Sequence, residues 1–264
     1  MDRSGQPDFF DSSESSPPVE ATGLEKESAP LADRMRPRSL DEVLGLENLI
    51  GEGAILRRAL EKGRLPSLLF WGPPGSGKTT LARVLAGELD AEFREVSAVE
   101  SGVKQLREVI DRARASQARG RRTILFIDEI HRFNKSQQDA ILPAVESGLV
   151  TLIGATTENP SFEVNAPLRS RSHVIRLPAM TSDKIRALVD RALADPERGL
   201  GGQVELPEEA AEAIVRRANG DARIALNLLE AATDALPSGE QRISAERIEE
   251  LARENTILYD RASG

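Results

Sequence analysis

The stretch that decides the fold is Ser67 to Leu89, "SLLFWGPPGSGKTTLARVLAGEL". Its first residues, Leu68 to Trp71, form a short apolar run of the kind a buried strand requires, and "TTLARVLAGEL" carries apolar residues at helical spacing. Between them "GPPGSGKTT", Gly72 to Thr80, fits the pattern G-x-x-x-x-G-K-[ST] in the strand-then-helix context that gives the pattern meaning. The residue types have a physical reason. Glycines let backbone N–H groups turn inward around phosphates, and the following helix adds its positive end. The loop Gly72, Pro73, Pro74, Gly75, Ser76, Gly77, Lys78, Thr79 and Thr80 is therefore the candidate nucleotide cradle, with Lys78 on the β and γ phosphates of ATP and the Thr79 hydroxyl on Mg²⁺.

Outward from this loop the alternation continues. Apolar runs at 93–98, 123–128, 150–156 and 172–177 are separated by amphipathic stretches at 102–118 and 136–148. Strands joined through helices predict an α/β fold, a parallel sheet flanked by helices, because each parallel crossover needs a returning segment. After residue 180 the strand runs stop, and 181–194, 207–219, 221–236 and 243–255 read as the helices of a small second domain. Thr181, Asp183 and Ser244 suit N-terminal caps, and Pro207 suits a first helical turn. "PERGLGGQ", 196–203, is a Gly-rich loop within it.

A second motif ends the strand at 123–128. "ILFIDEIHRFNKSQQDA", 124–140, runs four apolar residues into Asp128 and Glu129. With this strand expected beside the phosphate loop, Asp128 meets the Mg²⁺ shell through water, and Glu129 faces the γ phosphate to orient or deprotonate the attacking water. Asn134, Lys135 and Ser136 then open a helix whose N–H groups favour an anion. Ser136 equally suits a plain cap and Lys135 a solvated charge.

Composition narrows the functional classes. The chain of 264 residues is 39% hydrophobic and 30% charged with a net charge of -8, which excludes a basic protein that coats nucleic acid. Residues 1–30 hold seven acids and two bases, so their balance is -5 and the remainder carries -3. This Ser-, Pro- and acid-rich tail has too little apolar surface to offset chain entropy, and disorder is expected there. Its one apolar spot is "QPDFF", Gln6 to Phe10. No cysteine is present, so disulfides and thiolate metal sites are excluded, and no run approaches the roughly 18 apolar residues of a membrane span. A cytoplasmic location is the expectation. Aromatic residues make up 3%, which argues against a stacking platform for bases.

The order of these motifs, followed by "LIGATTENP", "LRSRS" and "GDARIALNLLE", resembles the AAA+ P-loop NTPases, in particular the clamp-loader branch. "RMRPRSLDEVLG", "HRFNKSQQD", "GATTENPSFE" and "NGDARIALNLLE" are similar to the replication-associated recombination protein A family, relatives of the Werner-helicase-interacting ATPase, from residue 31 to about 260. The resemblance implies an ATPase core over 31–179 and a helical lid over 180–258. It assigns sensor 1 to Thr157, with Thr156 as alternative, the arginine finger to Arg171, with Arg169 beside it, and sensor 2 to Arg223. Arg36, Pro37 and Val43 fall in the segment that cradles adenine. The implied activity is DNA-dependent, Mg²⁺-requiring ATP hydrolysis at stalled or gapped replication forks, close to the nucleoid, by a homo-oligomer. Single-stranded or gapped duplex DNA, single-strand-binding protein and the sliding clamp, through "QPDFF", are the implied partners. An ATP-gated interaction module recruited to the clamp, and a clamp-loader or branch-migration ATPase, are the alternatives. The family continues into a C-terminal oligomerisation domain, so residues 259–264 are expected to begin a truncated region.

Overall fold

The computed structural model of the chain describes residues 29–99 and 102–262. "QPDFF" lies outside them, as do the acidic residues of the tail. Among the described residues, four short helical segments precede the sheet: helix α1 (Leu31–Arg34), a 3-10 turn at Leu40–Glu42, α2 (Glu47–Ile50) and α3 (Ile55–Glu61). Then come β1 (Ser67–Trp71), α4 (Lys78–Glu88), β2 (Glu92–Ser97), α5 (Val103–Ala118) and β3 (Thr123–Asp128). A 3-10 turn at Ile130–Arg132 leads into α6 (Lys135–Glu146), β4 (Thr151–Thr156), α7 (Pro160–Glu163), α8 (Ala166–Ser170) and β5 (Ser172–Arg176). The chain closes with α9 (Ser182–Ala194), α10 (Glu208–Ala218), α11 (Ala222–Asp234) and α12 (Ala245–Ala262).

All five strands pair in parallel in the order β2-β3-β4-β1-β5. The expectation that β3 lies beside the strand of the phosphate loop is corrected here, because β4 intervenes. Strand pairing is set by which long apolar faces can be buried together, and the linear sequence does not specify it. The register brings Trp71 level with Thr156 and Ile127 level with Gly154, so Asp128, Thr156 and the phosphate loop emerge from one edge of the sheet.

Period-two alternation explains how the sheet is buried on both faces. Leu68, Phe70, Ile124, Phe126 and Ile153 point to one side and pack with Leu81 and Leu85 of α4 and Leu56 of α3. Leu69, Leu125, Ile127 and Leu152 point to the other, against Leu106 and Ile110 of α5 and Ile141 of α6. Each fully buried Leu, Ile or Phe contributes about 1.5 to 3 kcal/mol, so these two layers dominate the unit's stability.

The four closing helices share a third core built on Ile185, Val189, Ile214, Leu229 and Ile248. Leu31 and Met35 pack into this same core, although they precede the sheet by some thirty residues, and the Leu31 N–H donates to Glu230 Oε1 at 2.7 Å. The capping assignments differ in detail from the sequence reading. Ser244 Oγ does accept the Arg247 N–H at 3.3 Å, whereas Thr181 holds its cap position without a side-chain hydrogen bond and Pro207 stands at the cap rather than in the first turn. α6 is capped by Asn134 and not Ser136: Asn134 Oδ1 accepts the Gln137 N–H at 3.0 Å, and Gln137 Oε1 accepts the Asn134 N–H at 2.9 Å. Ser136 is the second residue of the helix, two positions past the cap, where it does not make those bonds.

Candidate active site

The site is a cleft at the carboxyl edge of the parallel sheet, where open α/β sheets offer a crevice to ligands. Its floor is the loop between β1 and α4. Gly75 has φ +67, and an added Cβ would stand 2.0 Å from Cγ and Oδ1 of Asp221, so both backbone conformation and packing demand glycine. Gly72 lies against the Leu177 carbonyl, where a Cβ would come within 2.0 Å of the oxygen.

Pro74 to Thr80 line the cleft together with Asp128, Glu129, Thr157 and Arg223. Gly72 and Pro73 contribute differently, since their carbonyls accept hydrogen bonds from Lys78 Nζ at 2.8 and 2.9 Å. Lys78 is only 8% exposed, and burial pushes its ammonium below the ordinary lysine value against the opposing carboxylates of Glu129 and Asp128. An ammonium held in the loop with two carboxylates facing it is the charge arrangement expected where a polyanion and a cation bind together. The hard oxygen donors fit Mg²⁺, which is held by one or two protein groups and completed by phosphate and water. Thr79 and Asp128 are both in the cleft wall. Among the described residues no cluster of three or more His, Asp or Glu forms a self-sufficient metal cage.

Asp128 ends β3, and its Oδ1 accepts the Glu129 N–H at 3.1 Å. Glu129 itself adopts the left-handed conformation, φ 52 and ψ 45, which costs a residue with a side chain about 1 to 2 kcal/mol. The 3-10 turn that follows holds it there, with the Arg132 N–H donating to the Glu129 carbonyl at 2.8 Å. Glu129 Oε2 lies 3.2 Å from His131 Nδ1, and that same nitrogen lies 3.0 Å from Thr156 Oγ1.

The two sensor candidates at the end of β4 separate cleanly. Thr156 is fully buried, its Oγ1 occupied by His131 and by the Glu158 N–H at 2.9 Å, whereas Thr157 lines the cleft. Across the cleft, Asp221 caps α11 by accepting the Arg223 and Ile224 N–H groups at 2.8 and 3.1 Å, which fixes Arg223 at the start of the lid helix. Arg36 and Pro37 line the opposite wall, and Arg36 is braced by Asp33 Oδ1 through Nε at 2.7 Å. Pro37 and Val43 also line an adjoining apolar pocket with Leu46, Met180 and Leu188.

Arg171 is not in this cleft. It pairs with Glu146 at 2.7 Å on an exposed face and donates to the Pro167 carbonyl at 2.9 Å. Arg169 bonds the carbonyls of Ser161 and Val164 and so ties α7 to α8. Of the helix-opening residues, Asn134 is consumed by its cap, while Lys135 and Ser136 are exposed.

Several functional neighbours escaped the sequence reading. Ala32, Met35, Leu188 and Leu226 supply the apolar wall, and no local pattern marks them because they come from opposite ends of the chain. Asp221 was detectable as an acid directly before the helix that carries Arg223. His131 opens the family-like stretch "HRFNKSQQD", but nothing in the sequence gave it a place beside Glu129 and Thr156.

The sequence model of the AAA family, "ATPase family associated with various cellular activities", matches residues 68–178, and that of the "AAA C-terminal domain" matches residues 200–264. Replication-associated recombination protein A of Escherichia coli K12 is 50% identical over 235 residues, 88% of this chain and 53% of the relative. The ATPase WRNIP1 of Dictyostelium discoideum is 43% identical over 90% of this chain and 27% of its own length. Among solved structures, the RuvB Holliday junction branch migration motor of Thermotoga maritima superposes with a TM-score of 0.68 at 33% identity, covering 82% of this chain and 72% of RuvB. The chain spans about half the length of the bacterial curated relatives it matches. Fold, cleft and relatives agree: the chain belongs to the AAA ATPases, in the replication-associated recombination protein A family.

Proposed function

We propose that this chain hydrolyses ATP in a DNA-dependent manner, in the service of replication-associated recombination at stalled or gapped forks. The observation that carries the reading is the convergence of Lys78, Thr79, Asp128, Glu129 and Thr157 in one cleft, with Arg223 facing them from the lid. Lys78 would turn from the carbonyls of Gly72 and Pro73 to the β and γ phosphates. Thr79 and Asp128 would hold Mg²⁺, which would supply positive charge against the phosphates. Glu129 orients the attacking water and takes its proton, Thr157 hydrogen-bonds the γ phosphate, and Arg223 adds a positive charge as the lid closes. Arg171, exposed and outside the cleft, suits a finger offered to the nucleotide of a second copy. Lys135 and Ser136, a few residues beyond Glu129, are the proposed contact to a DNA backbone.

The test is steady-state ATP hydrolysis with and without a gapped duplex. Lys78→Ala is expected to abolish nucleotide binding, while Glu129→Gln keeps binding and loses turnover by at least about 100-fold. Normal hydrolysis by Glu129→Gln overturns the assignment of the base. A branch-migration motor is the second reading, favoured by the likeness to RuvB over 72% of that chain. Movement of a four-way junction, with no preference for gapped duplex, would select it.

A further inference from the structure

We propose that His131 is a positioning residue that clamps one oxygen of the Glu129 carboxylate and leaves the other free for the attacking water. The inference rests on the reading of Glu129 as the base. A single imidazole nitrogen, Nδ1, stands 3.2 Å from Glu129 Oε2 and 3.0 Å from Thr156 Oγ1. Chemistry decides what that nitrogen carries. A bare lone pair there would face a carboxylate oxygen, so Nδ1 holds the proton; its hydrogen bond runs to Thr156 Oγ1, and Glu129 Oε2 stands against it as an electrostatic contact at 3.2 Å. Thr156 is free to accept, because its own hydroxyl proton can go to the Glu158 carbonyl, 3.3 Å away. The His131 side chain is only 14% exposed, and Thr156 is fully buried at the end of β4, so the clamp is anchored in the core rather than in solvent.

The clamp answers a mechanical need. Glu129 sits in a left-handed conformation at the first residue after β3, outside the regular backbone of strand and helix. Glu129 Oε2 stands against His131 Nδ1 at 3.2 Å, whereas Oε1 has no such contact among the described residues. A carboxylate with one oxygen tied and one lone-pair face open is oriented for water, and a base oriented by a third group is a recurring device in catalysis. His131 also lies in the 3-10 turn that runs directly into the capped N-terminus of α6. Displacement of α6, as by a ligand at Lys135, would therefore move the clamp before it moved Asp128 or the phosphate loop.

The first measurement is single-turnover ATP hydrolysis with protein in excess, alongside nucleotide affinity and melting temperature. His131→Phe, which keeps the ring volume and removes the donor, is expected to slow turnover about 10- to 100-fold with nucleotide affinity unchanged. His131→Asn, whose amide N–H replaces Nδ1–H, is expected to recover most of the rate. A wild-type rate in His131→Phe, or an equal loss in both variants with intact folding, overturns the proposal. A second measurement needs no turnover. The chain has two histidines, His131 and His173, so imidazole ¹⁵N resonances can be assigned by His131→Asn. A proton on His131 Nδ1, with its resonance moved by Glu129→Ala, is expected. A proton on Nε2 alone, or a resonance indifferent to Glu129→Ala, overturns it. If Glu129→Gln hydrolyses ATP normally the underlying reading fails, whereas slow Glu129→Gln with fast His131→Phe removes this inference alone.

Discussion

Gly75 and Asp221 meet where the floor of the cleft touches the lid. A methyl group at Gly75 would collide with a carboxylate already committed to two backbone N–H groups of α11, and φ +67 adds backbone strain. Gly75→Ala is expected to cost about 2 to 3 kcal/mol, from roughly 1 to 2 for the left-handed alanine and about 1 for the displaced cap. Urea denaturation checks this, and Gly75→Ala combined with Asp221→Ala should cost less than the two single changes together, because the collision is then relieved. Additive losses would place the two residues out of contact. Lys78 shows the same economy at the level of one side chain: the two carbonyls that hold its ammonium are those of the loop it would leave in the proposed contact with phosphate.

At the scale of the element, α6 follows the proposed catalytic acids and carries the proposed DNA contact. Its N-terminus is fixed by the reciprocal bonds of Asn134 and Gln137, so the direction in which Lys135 projects depends on a cap rather than on packing. Asn134→Ala is expected to destabilise the chain by about 1 kcal/mol, with Asn134→Asp near neutral. Hydrogen exchange at the amides of the first turn is the direct measurement, and protection unchanged in the alanine variant would show that the cap is redundant. The Gln138 side chain adds a tertiary tie, donating to the Phe133 and Glu163 carbonyls at 3.0 and 3.1 Å, and so links the start of α6 to α7.

At the scale of the molecule, the lid is fastened to the segment before the sheet by a small ionic cluster. Arg198 donates to Glu42 Oε2 at 2.8 Å and to Asp195 Oδ2 at 3.1 Å, and Arg191 donates to the Glu42 carbonyl at 2.8 Å. Burial pushes the Glu42 carboxyl up, but the Arg198 hydrogen bond and charge outweigh it and hold it below its ordinary value of 4.5. The Arg198 N–H and its guanidinium hold Asp195 below its ordinary 3.8. Both carboxyls are lower in the folded chain than in the unfolded one, so their contribution is complete above those ordinary values and is lost as the pH falls beneath them. Arg198→Ala is expected to cost about 1 to 2 kcal/mol at pH 7, between an exposed and a buried pair. It should also flatten the acid limb of stability below the ordinary carboxylate range. Chemical denaturation at both pH values tests this, and an unchanged acid limb would mean that other carboxylates govern it.

The sequence by itself determined the elements and the motifs that carry the proposed chemistry. Continuous apolar runs, helices at period 3.6 and the spacing of Gly77, Lys78 and Thr79 are local properties, so five strands, the phosphate loop and the acids at the end of β3 were legible residue by residue. The motif resemblance added Thr157 and Arg223, which do line the cleft. Tertiary structure alone decided what depends on contacts between distant segments. It inserted β4 between β1 and β3, drew Leu31 and Met35 into the core of the lid, seated Asp221 on Gly75, and turned His131 to meet Glu129 and Thr156 at once. Each of these is a packing outcome in which the partner lies far along the chain or on another element, and the free energy that selects it exists only once the faces are buried together.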